Sequence, residues 1–477
     1  MLYRFFDNNL LARPAYGDIR MHPSRVLDIQ KFIDAQRLSP CQWLIFCLGF
    51  LVMVVDGYDT VAMGFIAPSL VREWGIGRSA LGPVMSAALV GVAIGALMTG
   101  PVADRFGRKA MLVLSVAWFG AWTLVSGHAQ TIGELTAFRF LTGLGLGAAM
   151  PNAVTLMSEY APARVRSLAV NAMFSGFSFG LMAGGVAAAW LIPHVGWRSV
   201  LVVGGVVPIL LTVPLALLLP ESVQFLAARP GTHARVVRIL KRIAPQASMD
   251  DGTSFDAAAP GVTTPKNAAL GLVLSARYQR PTLMLWVAYF MALLTWYLLA
   301  GWMPMLFQDS GFGVKNSALM ASLLPLGGVL GNLCAGWLMD RWTAQRTIVA
   351  AFLLTGVLVL IAGRCAGHPV LLGALLFCCG IVVTAPVTSM AAYAAMLYPT
   401  EGRATGVAWM FGIGRFGGVA SAFVGAALLG LGWHIDAVFS LLVVPSLVAA
   451  GALCAIKPNR ADRTVGAETT QETAGQR

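Results

Sequence analysis

The sequence predicts an all-α membrane protein with twelve transmembrane helices in two pseudo-symmetric six-helix halves. Of its 477 residues, 57% are hydrophobic and only 11% are charged, which is far from the composition of a soluble domain. Apolar stretches of about 17 to 25 residues, the length that crosses a bilayer, recur along the chain. The two halves of the chain also repeat the same residues at a nearly constant spacing. These three observations together predict the fold class.

Six apolar stretches lie in each half of the chain. Those of the first half lie near residues 43–67, 80–101, 110–127, 133–157, 168–192 and 198–219. Those of the second half lie near 282–307, 316–339, 346–364, 368–392, 404–430 and 434–456. The predicted parts are an amino-terminal tail (1–42), the first half (43–219), a polar and basic linker (220–281), the second half (282–456) and a disordered tail (457–477).

The distribution of basic residues predicts the orientation. The first forty residues are polar and basic and lack the apolar core of a signal peptide, so we expect a cytoplasmic amino terminus. Both tails and the linker are then cytoplasmic, and few of the 33 Lys and Arg residues fall on external loops, namely Arg72, Arg78, Arg198, Lys315 and Arg364. The net charge of +12 therefore indicates topology and contact with anionic lipid, and not a nucleic-acid surface.

Four pairs of identical residues mark the internal repeat. Each pair is separated by 236 or 237 positions: Pro68 and Pro304, Asp104 and Asp340, Pro162 and Pro399, and Arg166 and Arg403. Such symmetry between six-span halves is typical of transporters whose path runs between parallel repeats. We therefore expect the functional site at the interface of the halves.

The sequence gives no support to an enzyme, a metal site or a bound cofactor. The seven cysteines lie in or beside apolar spans at spacings that match no metal or disulfide framework. The six histidines lie in tails, loops or span ends and do not cluster with acids. The proton is the expected coupling ion.

Two acids, Asp56 and Asp59, interrupt the first span in "FLVMVVDGYDTVAMGFIAP". A carboxylate in mid-membrane is disfavoured by roughly 2.5 to 3.5 kcal/mol, so intramembrane acids usually serve function. Residues three apart share a helix face, and two carboxylates in a poorly solvated site do not easily both ionise. The pair is therefore predicted to carry a proton. The alternative is that both acids are solvated at an end of the span that opens to external water.

Arg139 in the fourth span is the predicted partner of these acids. Asp56 lies about 20 Å from the inner face and Arg139 about 9 Å below the outer face, and these depths coincide in a core of about 30 Å. Arg139 is thus expected to pair with Asp56 or Asp59 and to be released on protonation. The alternative is a structural ion pair without a role in transport.

Arg415 lies near the midplane of the eleventh span in "FGIGRFGG", and no acid of the second half is an obvious partner. A guanidinium can hold a carboxylate through two hydrogen bonds, so Arg415 is the predicted substrate clamp. The alternative is that it extends to a water-filled cavity without a ligand. Further candidates for binding a flat ring are Tyr289, Tyr297, Asn171, Phe174, Phe177 and Tyr393. For most such residues, packing or contact with lipid headgroups is the favoured explanation.

Several blocks of sequence resemble a known family. "GPVADRFGRK" and "RFLTGLGLGAAMPN" resemble signatures of the major facilitator superfamily. "DGYDTVAMGFIAPSL", "LPESVQFL" and "YPTEGRATGVAWMFGIGRFGG" resemble its aromatic acid:H+ symporter family, and most closely the 4-hydroxybenzoate/protocatechuate transporters. The resemblance implies a monomeric bacterial inner-membrane protein that moves aromatic carboxylates with protons by alternating access. The resemblance also places Arg139 at the arginine of the superfamily's fourth-span motif.

The resemblance further implies a latch at the inner ends of the helices. Its residues are Asp104, Arg105, Gly107, Arg108 and Lys109, and Glu159, Arg166, Asp340 and Arg403 stand at comparable helix ends as switch partners. The competing view is that the three basic residues of the latch fix the orientation in the membrane, and both roles are compatible. A surface salt bridge of the switch partners would alone contribute little to stability.

The expected function is import of a small aromatic acid such as 4-hydroxybenzoate or protocatechuate. Proton cotransport would remove the penalty for moving an anion into a cell that is negative inside. The alternatives are a symporter for benzoate, gallate or muconate, and a proton-coupled exporter of hydrophobic compounds.

Overall fold

The computed structural model describes residues 26–245, 254–256, 271–398 and 400–456. Most of the predicted amino-terminal tail, the centre of the linker, Pro399 and the predicted disordered tail lie outside these residues. The described chain is mostly helical. A short parallel pairing of β1 (Val26–Asp28) with β2 (Ser254–Asp256) joins the amino-terminal segment to the linker.

The helices of the first half follow the predicted spans. A short helix, α1 (Ile29–Ala35), precedes α2 (Pro40–Trp74), α3 (Leu81–Phe106), α4 (Arg108–Ser126), α5 (Ile132–Tyr160), α6 (Ala163–Val195) and α7 (Arg198–Leu218). The linker contributes α8 (Val223–Ala227) and α9 (His233–Ile243). Helix α2 begins before the predicted span because Ser39 and Gln42 cap each other's backbone N–H groups and Pro40 suits the first helical turn.

The second half contains α10 (Gln279–Asp309), α11 (Val314–Arg341), α12 (Ala344–Arg364), α13 (Pro369–Leu397), α14 (Thr400–Gly430), α15 (Ile435–Leu441) and α16 (Val443–Cys454). The last span is divided between α15 and α16 because Pro445 has no N–H to donate to the carbonyl of Leu441. Among the described residues, 11 helical segments are long and apolar enough to cross a membrane. Helix α11, with 28 residues, occupies the predicted eighth span and completes the twelve-helix fold.

The two halves repeat the same packing. In the first half α2 packs against α6, α3 against α5, and α4 against α5 and α7. The corresponding pairs of the second half are α10 with α14, α11 with α13, and α12 with α13 and α16. Between the halves α3 contacts α14, α6 contacts α11, and α2 contacts α10. The internal repeat of the sequence is therefore a repeat of structure.

The first helices of the two halves, α2 and α10, cross at a pair of glycines. A Cβ atom built on Gly64 would stand 2.5 Å from the carbonyl oxygen of Gly301. The two glycines lie one residue out of the register that Pro68 and Pro304 set for these helices, so the crossing is close to the pseudo-symmetric position of the repeat. A side chain at this crossing would push the halves apart.

Within the part of the chain that the structure describes, the halves share a core on one side of the membrane and not on the other. We call the side that carries α1, α8 and α9 the inner side, following the predicted topology. On the outer side one core combines Phe65 and Ile66 of α2 with Trp302 and Phe307 of α10. On the inner side each half has its own core within the described residues. The structure is therefore closed on the outer side and divided on the inner side.

Polar contacts also close the outer side. Arg78, before α3, forms an ion pair with Asp309 at the end of α10 at 2.7 Å. Arg72 of α2 donates to the side chain of Gln308 at 2.9 Å. Both contacts join the first half to the second, so opening of the outer side requires that they break.

We predict that Gly64→Val prevents closure of the outer side, because the new side chain would overlap the backbone of Gly301. Spin labels at Gly77 and Gly313, one on the outer loop of each half, would report this as a shift of most of the population to longer distances. Gly133→Val is the matched control, since a Cβ atom at Gly133 meets open space. Distances unchanged from those of the unsubstituted protein would contradict the prediction.

Candidate functional site

Asp59 and Arg139 form a buried ion pair inside the first half. The guanidinium of Arg139 on α5 donates to both carboxylate oxygens of Asp59 on α2, at 2.9 and 2.6 Å. Thr123 of α4 donates a further hydrogen bond to Asp59 at 2.8 Å. The side chains of Asp59 and Arg139 are 0% and 1% exposed. Asp59 is therefore the acid that this arginine neutralises, a choice that the depth of the residues had left open.

Asp56 lies on the same helix but has different neighbours. It is 5% exposed, and no hydrogen bond or ion pair to its carboxylate is present among the described side chains. The charges that act on it through space are those of Asp59 and Arg415. A spacing of three residues leaves an offset of about 60° around the helix, which is enough to direct one acid into the first half and the other toward the second half. Since both acids are buried, they are not solvated ends of the span.

Arg415 lies on α14 about a quarter-turn from the glycines that pack against α10, on the side where Ala426 meets Gly82 of the first half. The ring of Tyr297 packs against Gly418, where a built Cβ atom would come within 2.8 Å of it, and the ring of Tyr289 packs against Gly414 in the same way. Arg415 therefore lies between two tyrosines, and its charge acts on both of them and on Asp56. It is half-buried, and within the described part of the chain it forms no hydrogen bond or ion pair. The structure thus leaves a cation without a direct counter-ion at the interface of the halves.

Aromatic rings adjoin this group. Phe177 of α6 stacks on Trp296 of α10 with ring centroids 6.0 Å apart, and this contact joins the two halves. Trp296 in turn meets Tyr297 edge-on at 4.8 Å. Trp296 is a site residue that is not among the candidates named from the sequence. A flat ring would find both faces and edges of aromatic side chains here.

The remaining predicted binding residues lie apart from Arg415. Asn171 is exposed on α6, Phe174 packs against the inner core of the first half, and Tyr393 packs against that of the second half. None of them contacts Arg415 or Asp56 in the described residues. Among the described residues the structure thus brings together Asp56, Tyr289, Tyr297 and Arg415, with Phe177 beside them. It does not bring Asn171, Phe174 or Tyr393 to this group.

The predicted inner latch is a network within the first half. Arg108 pairs with Glu159 and, at 3.6 Å, with Asp104, whose side chain is largely exposed. Ser222 donates to Glu159, and the side chain of Glu221 accepts from the backbone N–H of Lys109 at 2.9 Å. Glu221 and Ser222 belong to the "LPESVQFL" block but were not predicted as latch residues. These contacts fasten α3, α4, α5 and the linker to one another.

Two residues explain how the chain turns at this latch. Gly107 has φ of +100°, which an L side chain rarely adopts, and a Cβ atom there would overlap the side chain of Glu221. The carbonyl of Arg105 accepts a hydrogen bond from Arg229. The guanidinium of Arg105 lies over the ring of Phe106, 5.5 Å from its centroid. The turn between α3 and α4 is therefore held by hydrogen bonds to Glu221 and Arg229 of the linker.

The other predicted switch partners are distributed differently. Arg166 lies 3.9 Å from Asp34 of α1, a residue that also accepts from the backbone N–H of Ala163 at 2.7 Å. Arg403 is exposed and has no partner among the described residues. Asp340 is one of the residues whose side chains the structure does not describe. The role of this group in switching stays a prediction.

We predict that Asp59→Asn is much more destabilising than Asp56→Asn. Loss of the Asp59 charge leaves Arg139 buried without compensation, a change that destabilises by about 3 to 5 kcal/mol. Asp56 has no such partner, so its substitution should change stability by less than about 1 kcal/mol. The apparent midpoint of thermal unfolding in one detergent at pH 7 measures both.

The double variant Asp59→Asn with Arg139→Gln tests the cause of that effect. It removes the uncompensated cation and should recover part of the stability that Asp59→Asn loses. Equal shifts for Asp56→Asn and Asp59→Asn would contradict this account of the site.

Comparison with known proteins adds three findings. A family profile described as Major Facilitator Superfamily matches residues 48–313 and 285–475. The chain is 47% identical over 427 residues to the 4-hydroxybenzoate transporter PcaK of Pseudomonas aeruginosa, which covers 90% of this chain and 95% of that protein. It is 43% identical over 429 residues to a gallate transporter of Pseudomonas putida, with coverage of 90% and 95%.

Similarity to a solved structure supports the fold independently. The crystal structure of a D-xylose-proton symporter matches with a TM-score of 0.67 over 87% of this chain and 98% of that one. The sequence identity is 15%, so this likeness concerns the fold alone.

Proposed function

This chain belongs to the Major Facilitator Superfamily, and from that premise we propose that it imports aromatic carboxylic acids of the 4-hydroxybenzoate kind together with protons. Relatives that align over 90% of the chain carry the names of 4-hydroxybenzoate and gallate transporters. The observation that carries the proposal is Arg415, an unpaired guanidinium flanked by tyrosines between the two halves. The chain is a multi-pass membrane transporter and not an enzyme.

Arg415 is the proposed clamp for the substrate carboxylate. The planar guanidinium offers parallel donors to a carboxylate, and binding an anion would supply the counter-ion that the structure lacks at this point. The substrate ring would then lie against Tyr297 and the stacked pair of Phe177 and Trp296. An aliphatic acid would lose these aromatic contacts.

Asp56 is the proposed proton carrier of the Asp56/Asp59 pair. Asp59 is already neutralised by Arg139, whereas the one positive charge found to act on Asp56 among the described residues is that of Arg415, with which it forms no ion pair. A substrate carboxylate at Arg415 would place a second anion near Asp56 in a poorly solvated site. Protonation of Asp56 removes that repulsion, so substrate and proton are expected to bind together.

Alternating access follows from the separate cores of the halves. The present structure opens on the inner side, and an outward-open form requires loss of the Arg78–Asp309 ion pair and parting of α2 from α10. We propose that the protein lies in a bacterial inner membrane as a monomer with both termini in the cytoplasm. The basic residues of the linker and inner loops support that orientation through contact with anionic lipid.

We predict that Asp56→Asn loses accumulation of substrate but retains exchange. In proteoliposomes with an alkaline interior, uptake of labelled 4-hydroxybenzoate should fall at least about tenfold, because no proton can be carried on residue 56. Exchange against internal unlabelled substrate needs no net proton movement and should persist. Asp436→Asn, at an exposed residue of α15, is the control. Normal accumulation by Asp56→Asn would remove Asp56 from the coupling mechanism.

We predict that Arg415→Lys raises the KM for 4-hydroxybenzoate by about tenfold or more, equivalent to about 1.4 kcal/mol, because an ammonium cannot reproduce the paired donors of a guanidinium. Arg346→Lys at the exposed inner end of α12 is the matched control. An unchanged KM for Arg415→Lys would exclude it as the clamp. Failure of the unsubstituted protein to accumulate any aromatic acid under a pH gradient would refute the proposed function.

A further inference from the structure

A polar pair outside the site described above lies between α11 and α13. The Oγ1 of Thr388 lies 3.2 Å from Oδ1 of Asn332, and it is also within hydrogen-bond distance of the carbonyls of Ala385 and Thr384 in its own helix, at 3.3 and 3.4 Å. The amide nitrogen of Asn332 has no partner among the residues that the structure describes. Thr388 is exposed and Asn332 is half-buried, although both lie within membrane-length helices. An amide N–H group without a hydrogen-bond partner is costly in contact with lipid hydrocarbon. It is therefore necessary to know whether the pair faces the lipid or the interface of the halves.

The helix geometry directs Asn332 to the interface of the halves. Ala321 and Pro325 of α11 line a small cavity together with Val61 of α2 and Trp296 of α10, so this face of α11 points at the first half. Asn332 follows Pro325 by seven residues, which is close to two full turns, and therefore lies on the same face. The pair faces the path between the halves and not the lipid.

The pair also lies on the inner side of Arg415. Asn332 and Thr388 are each nine residues from the inner ends of their helices, about 14 Å, whereas Arg415 is fifteen residues from the start of α14, about 22 Å. The difference in backbone height along the membrane normal is about 9 Å, which a para-substituted benzene ring together with one hydrogen bond can span. One turn further out, Thr384 is buried against Gly328, so the pair lies where the path begins to open.

We propose that Asn332 and Thr388 bind the ring hydroxyl groups of the substrate while Arg415 holds its carboxylate, so that the site selects hydroxylated aromatic acids over benzoate. This inference rests on the proposed function. A phenolic hydroxyl both donates and accepts, and an amide beside a threonine hydroxyl offers both complementary groups. A site built to hydrogen-bond a hydroxyl discriminates against the analogue that lacks it, because its own polar groups are then left unpaired.

The test compares two substrates in two variants, Asn332→Leu and Thr388→Val. Initial uptake of labelled 4-hydroxybenzoate and benzoate into proteoliposomes under a fixed pH gradient gives a KM for each. The unsubstituted protein should have the lower KM for 4-hydroxybenzoate. Each variant should raise that KM by about tenfold, the effect of one lost hydrogen bond in a poorly solvated site, and leave the KM for benzoate within about twofold. Thr355→Val on α12, whose hydroxyl bonds only its own helix, is the matched control.

The outcomes separate this inference from the proposed function. Equal loss for both substrates would assign the pair a structural role and overturn the inference, as would variants that keep the KM ratio of the unsubstituted protein. An unsubstituted protein that accumulates both acids with equal KM would overturn the inference but support the proposed function. Absence of accumulation of either acid by that protein would overturn both.

Discussion

The arrangement of this protein depends on the requirement that every charge buried in a membrane has a counter-charge. The first half meets this requirement for Asp59, because Arg139 holds that carboxylate through two hydrogen bonds and Thr123 adds a third. Two charges are then left over, Asp56 in the first half and Arg415 in the second. They lie on opposite sides of the interface that must open and close. The negative charge of Asp56 thus belongs to one half of the protein and the positive charge of Arg415 to the other.

Close contact of the halves on the outer side determines how Asp56 and Arg415 are positioned across the interface. Gly64 and Gly301 let α2 and α10 cross at van der Waals distance. The shared core around Trp302 fills the space between the halves on the outer side of the site. Below the crossing the cores separate, and polar side chains such as Asn332 and Thr388 become accessible. The latch around Arg108 and Glu159 fastens helices of the first half to the linker and leaves the inner opening free. The outer contacts therefore hold the present conformation.

Much of the fold could be predicted because an apolar stretch of about 20 residues matches the thickness of a bilayer and forms a membrane-spanning helix. The twelve helices and the two halves followed from span length and the repeat at Asp104 and Asp340. Helix ends were less accessible to prediction, since caps such as Ser39 extend helices beyond the apolar region. The choice of Asp59 over Asp56 as the partner of Arg139 depends on rotation about α2, which depth alone does not specify. Thr123, Trp296 and Asn332 carry no charge, so nothing in the sequence distinguished them from packing residues of the same type.

The division of charges also explains why proton and substrate would travel together. With Asp56 ionised and the site empty, the charges of Asp56 and Arg415 cancel. With Asp56 protonated and a carboxylate on Arg415, the charges cancel again. A proton alone leaves one net positive charge in the path, and substrate alone leaves one net negative charge. Closure around an uncompensated charge in a low dielectric is strongly disfavoured, whereas closure around either neutral state is not. Coupling would therefore follow from the location of two side chains on separate halves, with Asp59 and Arg139 fixing the electrostatic background against which they act.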